Sequence, residues 1–133
     1  MAIAISARTG RDRRPVILHV LHGGGGLEVS VRLLMQQHGT AFRHCTLSVR
    51  SSRDWAYEMP DGGETRLTFA WWDGLGRVVR RLGVDLVHVH HLAGDRQRLL
   101  RALARLSVPY GVTVHDFYLV CPRTHLVPPG GVY

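Results

Sequence analysis

Lysine is absent from the 133-residue chain, and all 17 of its basic residues are arginine. This absence excludes the phosphate-binding P-loop, which requires a lysine to contact the phosphates of a nucleotide. The arginines outnumber the 10 acidic residues and give a formal net charge of +7, which favours an anionic partner such as nucleic acid, a membrane surface or a phosphorylated ligand. Codon usage that replaces lysine by arginine would explain the missing lysine but not the excess of positive charge.

Cysteine and long apolar segments are also scarce. The two cysteines, Cys45 and Cys121, are too few for a disulfide framework and too far apart to form a metal-binding pair by themselves, so they indicate a reducing, cytoplasmic setting. No segment approaches the roughly 18 apolar residues of a membrane span, and we expect at most peripheral attachment to the inner face of a membrane. We expect residues 1–14 to form a loose basic leader and residues 15–133 to form a single domain.

Apolar runs alternate with amphipathic segments along the chain. Strands are expected near residues 16–22, 44–50, 84–91 and 109–116, and helices over 27–38, 73–83 and 94–107. Asp73 is placed to cap the second of these helices. The segment 51–72 mixes aromatic residues with proline and glycine, which favours a hairpin-like excursion. This alternation predicts an α/β fold, with a Rossmann-like parallel sheet and helices on both of its faces.

The last two predicted helices each carry an aliphatic stripe and an arginine face. The stripes are Leu75, Val78, Val79 and Leu82, then Leu99, Leu100, Leu103 and Leu106; the arginines are Arg77, Arg80 and Arg81, then Arg98, Arg101 and Arg105. Such arginine faces can dock on anionic lipid, although they are more often solvated. No recognisable module interleaves aromatic residues with these arginines, so a nucleic-acid partner is not expected.

Three polar clusters fall at the carboxyl ends of predicted strands: the glycines 23–26, the histidine-rich residues 88–91, and the pair at 115–116. Open parallel sheets bind ligands beyond the carboxyl ends of their strands, so we expect the clusters to form one site. The glycine run could hold a phosphate, because its N–H groups are unshielded and the next helix adds its positive end; a flexible connector is the alternative. A dinucleotide-binding fingerprint would need a small residue where Glu28 or Val29 stands.

His88 and His90 share one face of their predicted strand, and imidazoles at that spacing can bind a single metal ion. Hydrolases with such a pair usually supply an acidic ligand close behind, whereas Asp95 comes five residues after His90 at a predicted helix start. Packing or loop-orienting histidines are therefore the favoured interpretation. A metal-dependent hydrolase that also uses His115 or Asp116 is the alternative.

His115 and Asp116 end the last predicted strand. A histidine there can donate a hydrogen bond to a sugar hydroxyl or a phosphate. Asp116 can hold an acceptor hydroxyl or cap the turn that follows. Cys121 has no nearby partner in the sequence that would make it a nucleophile, and a small buried residue is its favoured interpretation.

Three stretches, "ILHVLHGGGGLEVSVRLL", "GVDLVHVHHLAG" and "VPYGVTVHDFYLVCPR", together resemble the amino-terminal domain of GT-B glycosyltransferases of family 4. They span residues 17–123, and "TVHDFYLVCP" joined to "VHVHH" is the most specific part. The resemblance implies a Rossmann-like domain that faces a second such domain across a cleft. It also implies retaining transfer of a sugar from a nucleotide-diphosphate donor to a glycan or lipid-linked acceptor, generally without a bound metal and without another cofactor.

The resemblance further implies a set of site residues. The glycine loop lies near the donor diphosphate and the acceptor, and the histidine of "TVHD" faces the transferred sugar. The expected binding residues are Gly23, Gly24, Gly25, Gly26, Glu28, His90 and His91, and the expected catalytic residues are His115 and Asp116.

The donor-binding machinery of the family, including a carboxylate pair, belongs mostly to the second domain, whereas this sequence stops at Tyr133. We therefore expect the acceptor-side half of a hexosyltransferase that serves polysaccharide or glycolipid assembly. It would be a fragment, a truncated reading frame or one half of a split enzyme, and would transfer little sugar without the missing carboxyl-terminal domain. A non-catalytic binding module is the remaining alternative.

Overall fold

The computed structural model describes residues 12–22, 25–49, 55–58, 64–67, 72–90 and 96–115. These ranges contain, in order, β1 (Val16–His22), α1 (Gly26–His38), β2 (Arg43–Val49), β3 (Trp55–Glu58), β4 (Glu64–Leu67), a 3-10 turn (Trp72–Gly74), α2 (Leu75–Leu82), β5 (Leu86–Val89), α3 (Arg96–Ala104) and β6 (Tyr110–Val112). The predicted order of strands and helices is confirmed. Helix α2 is shorter at both ends than its apolar pattern indicates, and α3 ends at Ala104, before the predicted end at residue 107.

The strands join one sheet in the order β4-β3-β2-β1-β5-β6. Strands β2, β1, β5 and β6 are parallel neighbours, as the alternating pattern predicts. Strands β3 and β4 form the expected hairpin, but they extend the sheet beyond β2 in antiparallel pairing, so the sheet is mixed. The connections on either side of β3 are too short for the crossover that parallel strands need. The fold is α/β and Rossmann-like.

One face of the sheet is apolar and packs against α2 and α3. Its buried cluster joins strand residues to both helices: Val16, Leu18, Val20, Cys45, Leu47, Val87 and Val89 with Leu75, Val78, Val79, Leu82, Leu99 and Leu103. The predicted inward stripes are therefore confirmed, except that Leu100 is 43% exposed. Leu100 follows Leu99 by one residue, which turns its side chain about 100° around the helix and away from the sheet.

Helix α1 covers the other face. The chain moves from β1 to β2 in one direction along the sheet and from β5 to β6 in the opposite direction. Because crossovers between parallel strands are right-handed, these two moves place α1 and α3 on opposite faces. The buried Val31 of α1 agrees, since it lies outside the cluster that α2 and α3 form with the first face.

Helix α2 begins directly after the 3-10 turn, and its N-cap residue is Gly74 without a side-chain capping hydrogen bond. The prediction that Asp73 caps α2 is therefore wrong, because that residue lies inside the preceding turn. The helix ends at Gly83, whose φ of 61° is a left-handed conformation that glycine adopts without steric cost. Both ends of α2 are thus set by glycine.

Residues 1–11 of the predicted leader lie outside the described residues, and residues 12–14 contact the domain. The guanidinium of Arg14 donates to the Asp12 carboxylate at 2.6 Å and to the carbonyl of Gly39. Asp12 also lies 3.6 Å from Nε of Arg43. The hydrogen bonds from Arg14 lower the pKa of Asp12 to about 2.

Within the described ranges, none of the helices combines the length and apolarity that crossing a membrane requires.

Candidate functional site

The strand order creates a switch point between β1 and β5. From β1 the chain turns toward β2, and from β5 it turns toward β6, so the connections leave the shared edge in opposite directions. Crevices of this kind, beyond the carboxyl ends of the strands, are where ligands bind in open α/β sheets. Two of the predicted polar clusters begin at this point: the glycine run after β1 and the histidine-rich segment after β5.

The glycine run leads directly into the amino terminus of α1. Gly25 has a φ of 78° and is the N-cap residue, and no side chain caps the helix. A Cβ atom added at Gly25 or at Gly26 would meet no heavy atom within 4 Å. Because no side chain of the described residues caps α1, its first N–H groups could bind an anion, which the helix dipole would stabilise.

Histidines from neighbouring strands form a continuous hydrogen-bonded chain on the face that carries α1. His44 Nδ1 lies 2.9 Å from His19 Nε2, His19 Nδ1 lies 2.8 Å from His90 Nε2, and His90 Nδ1 lies 3.3 Å from His115 Nε2. We call these four residues the histidine chain. It runs from β2 through β1 to the residues that follow β5 and β6, and it ends at the exposed His115.

His88 lies beside this chain. It pairs with His19 in the parallel register of β1 and β5, and its ring centroid is 4.0 Å from that of His90. Its Nε2 lies 2.7 Å from Oγ1 of Thr113. Among the described residues, His19, His88 and His90 form a group in which one nitrogen from each ring lies within 4.8 Å of the others.

Burial keeps the inner histidines neutral. His19 is fully buried, and desolvation, assisted by the neighbouring rings of His90, His44 and His88, lowers its pKa to about 3. His90 is 2% exposed, and burial, followed by the nearby His88 and His115, lowers its pKa to about 4. Burial also lowers the pKa of His88 and of His44. Neutral imidazoles offer one lone pair and one N–H each, which is what the hydrogen-bonded chain and a metal ion both require.

The buried end of the histidine chain has an unusual feature. Nε2 of His44 is buried and has no hydrogen-bond partner within 3.5 Å among the described residues. Each link of the chain joins Nδ1 of one ring to Nε2 of the next, so the protonated nitrogen is of the same type in every neutral ring. The tautomer of His44 and that of His115 are therefore coupled through His19 and His90.

The structure brings some of the expected site residues together. His90 and His115 are in contact, while both ring nitrogens of His90 are engaged inside the protein. Glu28 lies in the first turn of α1, where its carboxylate accepts from Arg32 at 3.1 Å; Arg32 also contacts Glu58 of β3 at 3.0 Å. The expected residues outside the described ranges are Gly23, Gly24, His91 and Asp116.

His19 and His44 are not among the site residues expected from the sequence. Each is a buried histidine in a strand with several buried apolar residues: "VILHVLH" for β1 and "RHCTLSV" for β2. A buried polar side chain needs a partner, so two such histidines in neighbouring strands are a usable signal.

Cys45 takes no part in this site. Cys45 is buried among the apolar residues of the first face, and burial raises the pKa of its thiol to about 11, so it is unreactive at neutral pH. Cys121 lies outside the described residues.

A scan against protein-family models, a search of curated proteins and a search of solved structures each find no match to this chain.

Proposed function

We propose that this chain is the amino-terminal, acceptor-side part of a retaining glycosyltransferase that uses a nucleotide-diphosphate sugar. The observation that carries the proposal is the switch point between β1 and β5, where the open amino terminus of α1 and the histidines after the neighbouring strands share one edge of the sheet. The resemblance of residues 17–123 to family 4 enzymes supports the same assignment.

The amino terminus of α1 is suited to a diphosphate. Gly25 and Gly26 leave space around the backbone, and the helix end has no side-chain cap that would compete with an anion. Backbone N–H groups and the helix dipole stabilise phosphate charge without a lysine, which this chain lacks. In the proposed reaction these groups would stabilise the leaving diphosphate, where negative charge develops as the bond to the sugar breaks.

His115 has the placement expected of a group that contacts the transferred sugar. It is exposed, it follows β6, and its Nε2 is held by Nδ1 of His90. That contact leaves its Nδ1 as the nitrogen available for a sugar hydroxyl or a phosphate oxygen. His90 would then act as a positioning residue that orients the His115 ring from the interior.

The donor nucleotide and its recognition would come mainly from a second domain. The proposed partners are therefore a nucleotide-sugar donor, a glycan or lipid-linked acceptor, and a carboxyl-terminal donor-binding domain. The proposed setting is polysaccharide or glycolipid assembly in the cytoplasm. The exposed arginines of α2 and α3 are the surface available for anionic lipid.

A fusion experiment tests the proposal. The chain is joined to the carboxyl-terminal domain of a family 4 glycosyltransferase, and transfer from labelled nucleotide sugars is measured. We expect transfer by the fusion, a loss of at least about 100-fold in His115→Ala, which removes a positioned proton donor, and full activity in His38→Ala, a matched change at an exposed histidine at the end of α1. Full activity of His115→Ala would overturn the assigned role.

Metal-dependent hydrolysis has less support. The group of described residues that could surround an ion contains three histidines and no carboxylate. Hydrolases built on a histidine pair use a carboxylate to accept a proton from the attacking water. The three histidines are therefore better suited to binding an ion than to hydrolysing a substrate.

A further inference from the structure

We propose that His19, His88 and His90 form a binding site for one transition-metal ion of the Zn²⁺ type, separate from sugar transfer. The proposal does not depend on the proposed function, because it concerns ion binding on the inner histidines and requires neither a donor sugar nor a second domain.

Each of the three rings contacts an outer partner through one nitrogen, which leaves its other nitrogen as the candidate ligand. His19 uses Nε2 toward His44, His88 uses Nε2 toward Thr113, and His90 uses Nδ1 toward His115. The remaining nitrogens are Nδ1 of His19, Nδ1 of His88 and Nε2 of His90. The first and last of these already lie 2.8 Å apart.

The distances allow an ion with small movements. Zn–N bonds of about 2.0–2.1 Å in a tetrahedral site separate two ligand nitrogens by about 3.4 Å. The His19–His90 contact of 2.8 Å would open slightly, and the group as a whole, within 4.8 Å, would contract. Rotation of the half-buried His88 ring can supply most of that change.

The donor set selects the kind of metal. Three neutral imidazoles suit Zn²⁺ and related ions such as Co²⁺, Ni²⁺ and Cu²⁺, whereas Mg²⁺ and Ca²⁺ prefer oxygen ligands. A three-histidine site leaves a fourth position for water. The low pKa values of His19 and His90 keep their lone pairs available at neutral pH.

The outer partners match those of metal-bound histidines. Such histidines usually hydrogen-bond through their second nitrogen, which fixes the ring orientation and the tautomer. His44, Thr113 and His115 occupy these outer positions. With an ion bound, two coordinate bonds replace the single hydrogen bond between His19 and His90. His19 then donates to His44 and His90 donates to His115, and because neutral rings only exchange tautomers, no proton is released.

The test uses the full chain, purified without a polyhistidine tag and stripped with a chelator. Zn²⁺ is added and bound metal is quantified, and Co²⁺ is added separately to record its visible spectrum. We expect one ion per chain, a tetrahedral Co²⁺ spectrum, and a higher melting temperature with Zn²⁺ but not with Mg²⁺.

Three variants locate the site. His88→Gln should abolish stoichiometric binding, and Thr113→Val should weaken it by about 10–100-fold through the loss of an outer partner. The control His38→Gln should bind like the wild type. Circular dichroism of each metal-free variant checks that it is folded. Absence of stoichiometric Zn²⁺ from the folded wild type, or unchanged binding in folded His88→Gln, would overturn the proposal.

Discussion

Nδ1 of the buried His90 lies 3.3 Å from Nε2 of the exposed His115, so the residue that follows β5 supports the residue that follows β6. The two are separated by 25 positions in the sequence. Because β5 and β6 are parallel neighbours, their carboxyl ends meet and the two rings come into contact. A substitution of the buried His90 should therefore alter the orientation of the exposed His115 ring.

Stability should fall as the pH falls below about 6.5, the ordinary pKa of an unfolded histidine. The pKa values of His19 and His90 in the folded chain are about 3 and about 4. Between these values and 6.5 the unfolded chain binds more protons, so the free energy of unfolding rises with pH. Each histidine contributes a slope of at most about 1.4 kcal/mol per pH unit. Urea denaturation at pH 7.5, 6.5 and 5.5 measures this dependence.

The control for the pH experiment is Gln37→Ala, which changes an exposed residue of α1 without a titratable group and should leave the slope unchanged. His90→Gln should reduce the slope, because one of the histidines whose pKa is lowered by burial no longer titrates. Equal stability of the wild type at pH 7.5 and 5.5 would contradict the expectation.

Gly25 and Gly26 should respond in opposite ways to a side chain. Gly25→Ala should cost about 1–2 kcal/mol, because a residue with a Cβ is strained at a φ of 78° even though the surrounding space is open. Gly26→Ala should be neutral or stabilising by up to about 1 kcal/mol, because alanine favours the helix. Denaturant unfolding of both variants provides the comparison, and equal effects would show that backbone conformation is not the cause.

Inorganic pyrophosphate should bind at the amino terminus of α1. In a titration followed by NMR, we expect the backbone N–H signals of Gly25 and Gly26 to shift, because these groups face an anion without a side-chain cap. The exposed arginines of α2 and α3 provide an internal control for non-specific attraction. Shifts confined to those arginines, with none at the glycines, would count against a diphosphate site.

Leu99 and Leu100 are neighbours in α3 with different surroundings. Leu99 is 1% exposed and packs in the apolar cluster, so Leu99→Ala should lower the free energy of unfolding by about 2–5 kcal/mol. Leu100 is 43% exposed, and Leu100→Ala should change the free energy of unfolding by no more than about 0.5 kcal/mol. Thermal or urea unfolding distinguishes the two, and similar losses would mean that both leucines face the core.

Much of the fold could be predicted because its signals are local. The apolar run at residues 16–22 indicates a strand buried on both faces, and the stripe in α2 with Gly83 after it indicates a helix and its end. The exposure of Leu100 and the 3-10 turn around Asp73 could not be predicted as readily. The exposure of Leu100 depends on the rotation of α3 about its axis, and the 3-10 turn depends on where α2 begins. The hydrophobic pattern of the sequence constrains both features only weakly.

The histidine contacts required the tertiary structure. The sequence places His88 and His90 on one strand face, because side chains alternate along a strand. It does not state which strand pairs with β5, and His19 and His44 reach that face only through the order β2-β1-β5. His19 and His44 show no relation to the histidines of β5 until the strands are aligned.

The sequence by itself determined the alternation of strands and helices, the basic arginine faces and the presence of a glycine run between β1 and α1, since hydrophobic periodicity and residue type are properties of short segments. Only the tertiary structure decided that β1 and β5 are neighbours and that His44, His19, His90 and His115 form one hydrogen-bonded chain. Strand pairing joins residues far apart in the chain, and the burial that makes these histidines neutral exists only after the sheet has formed.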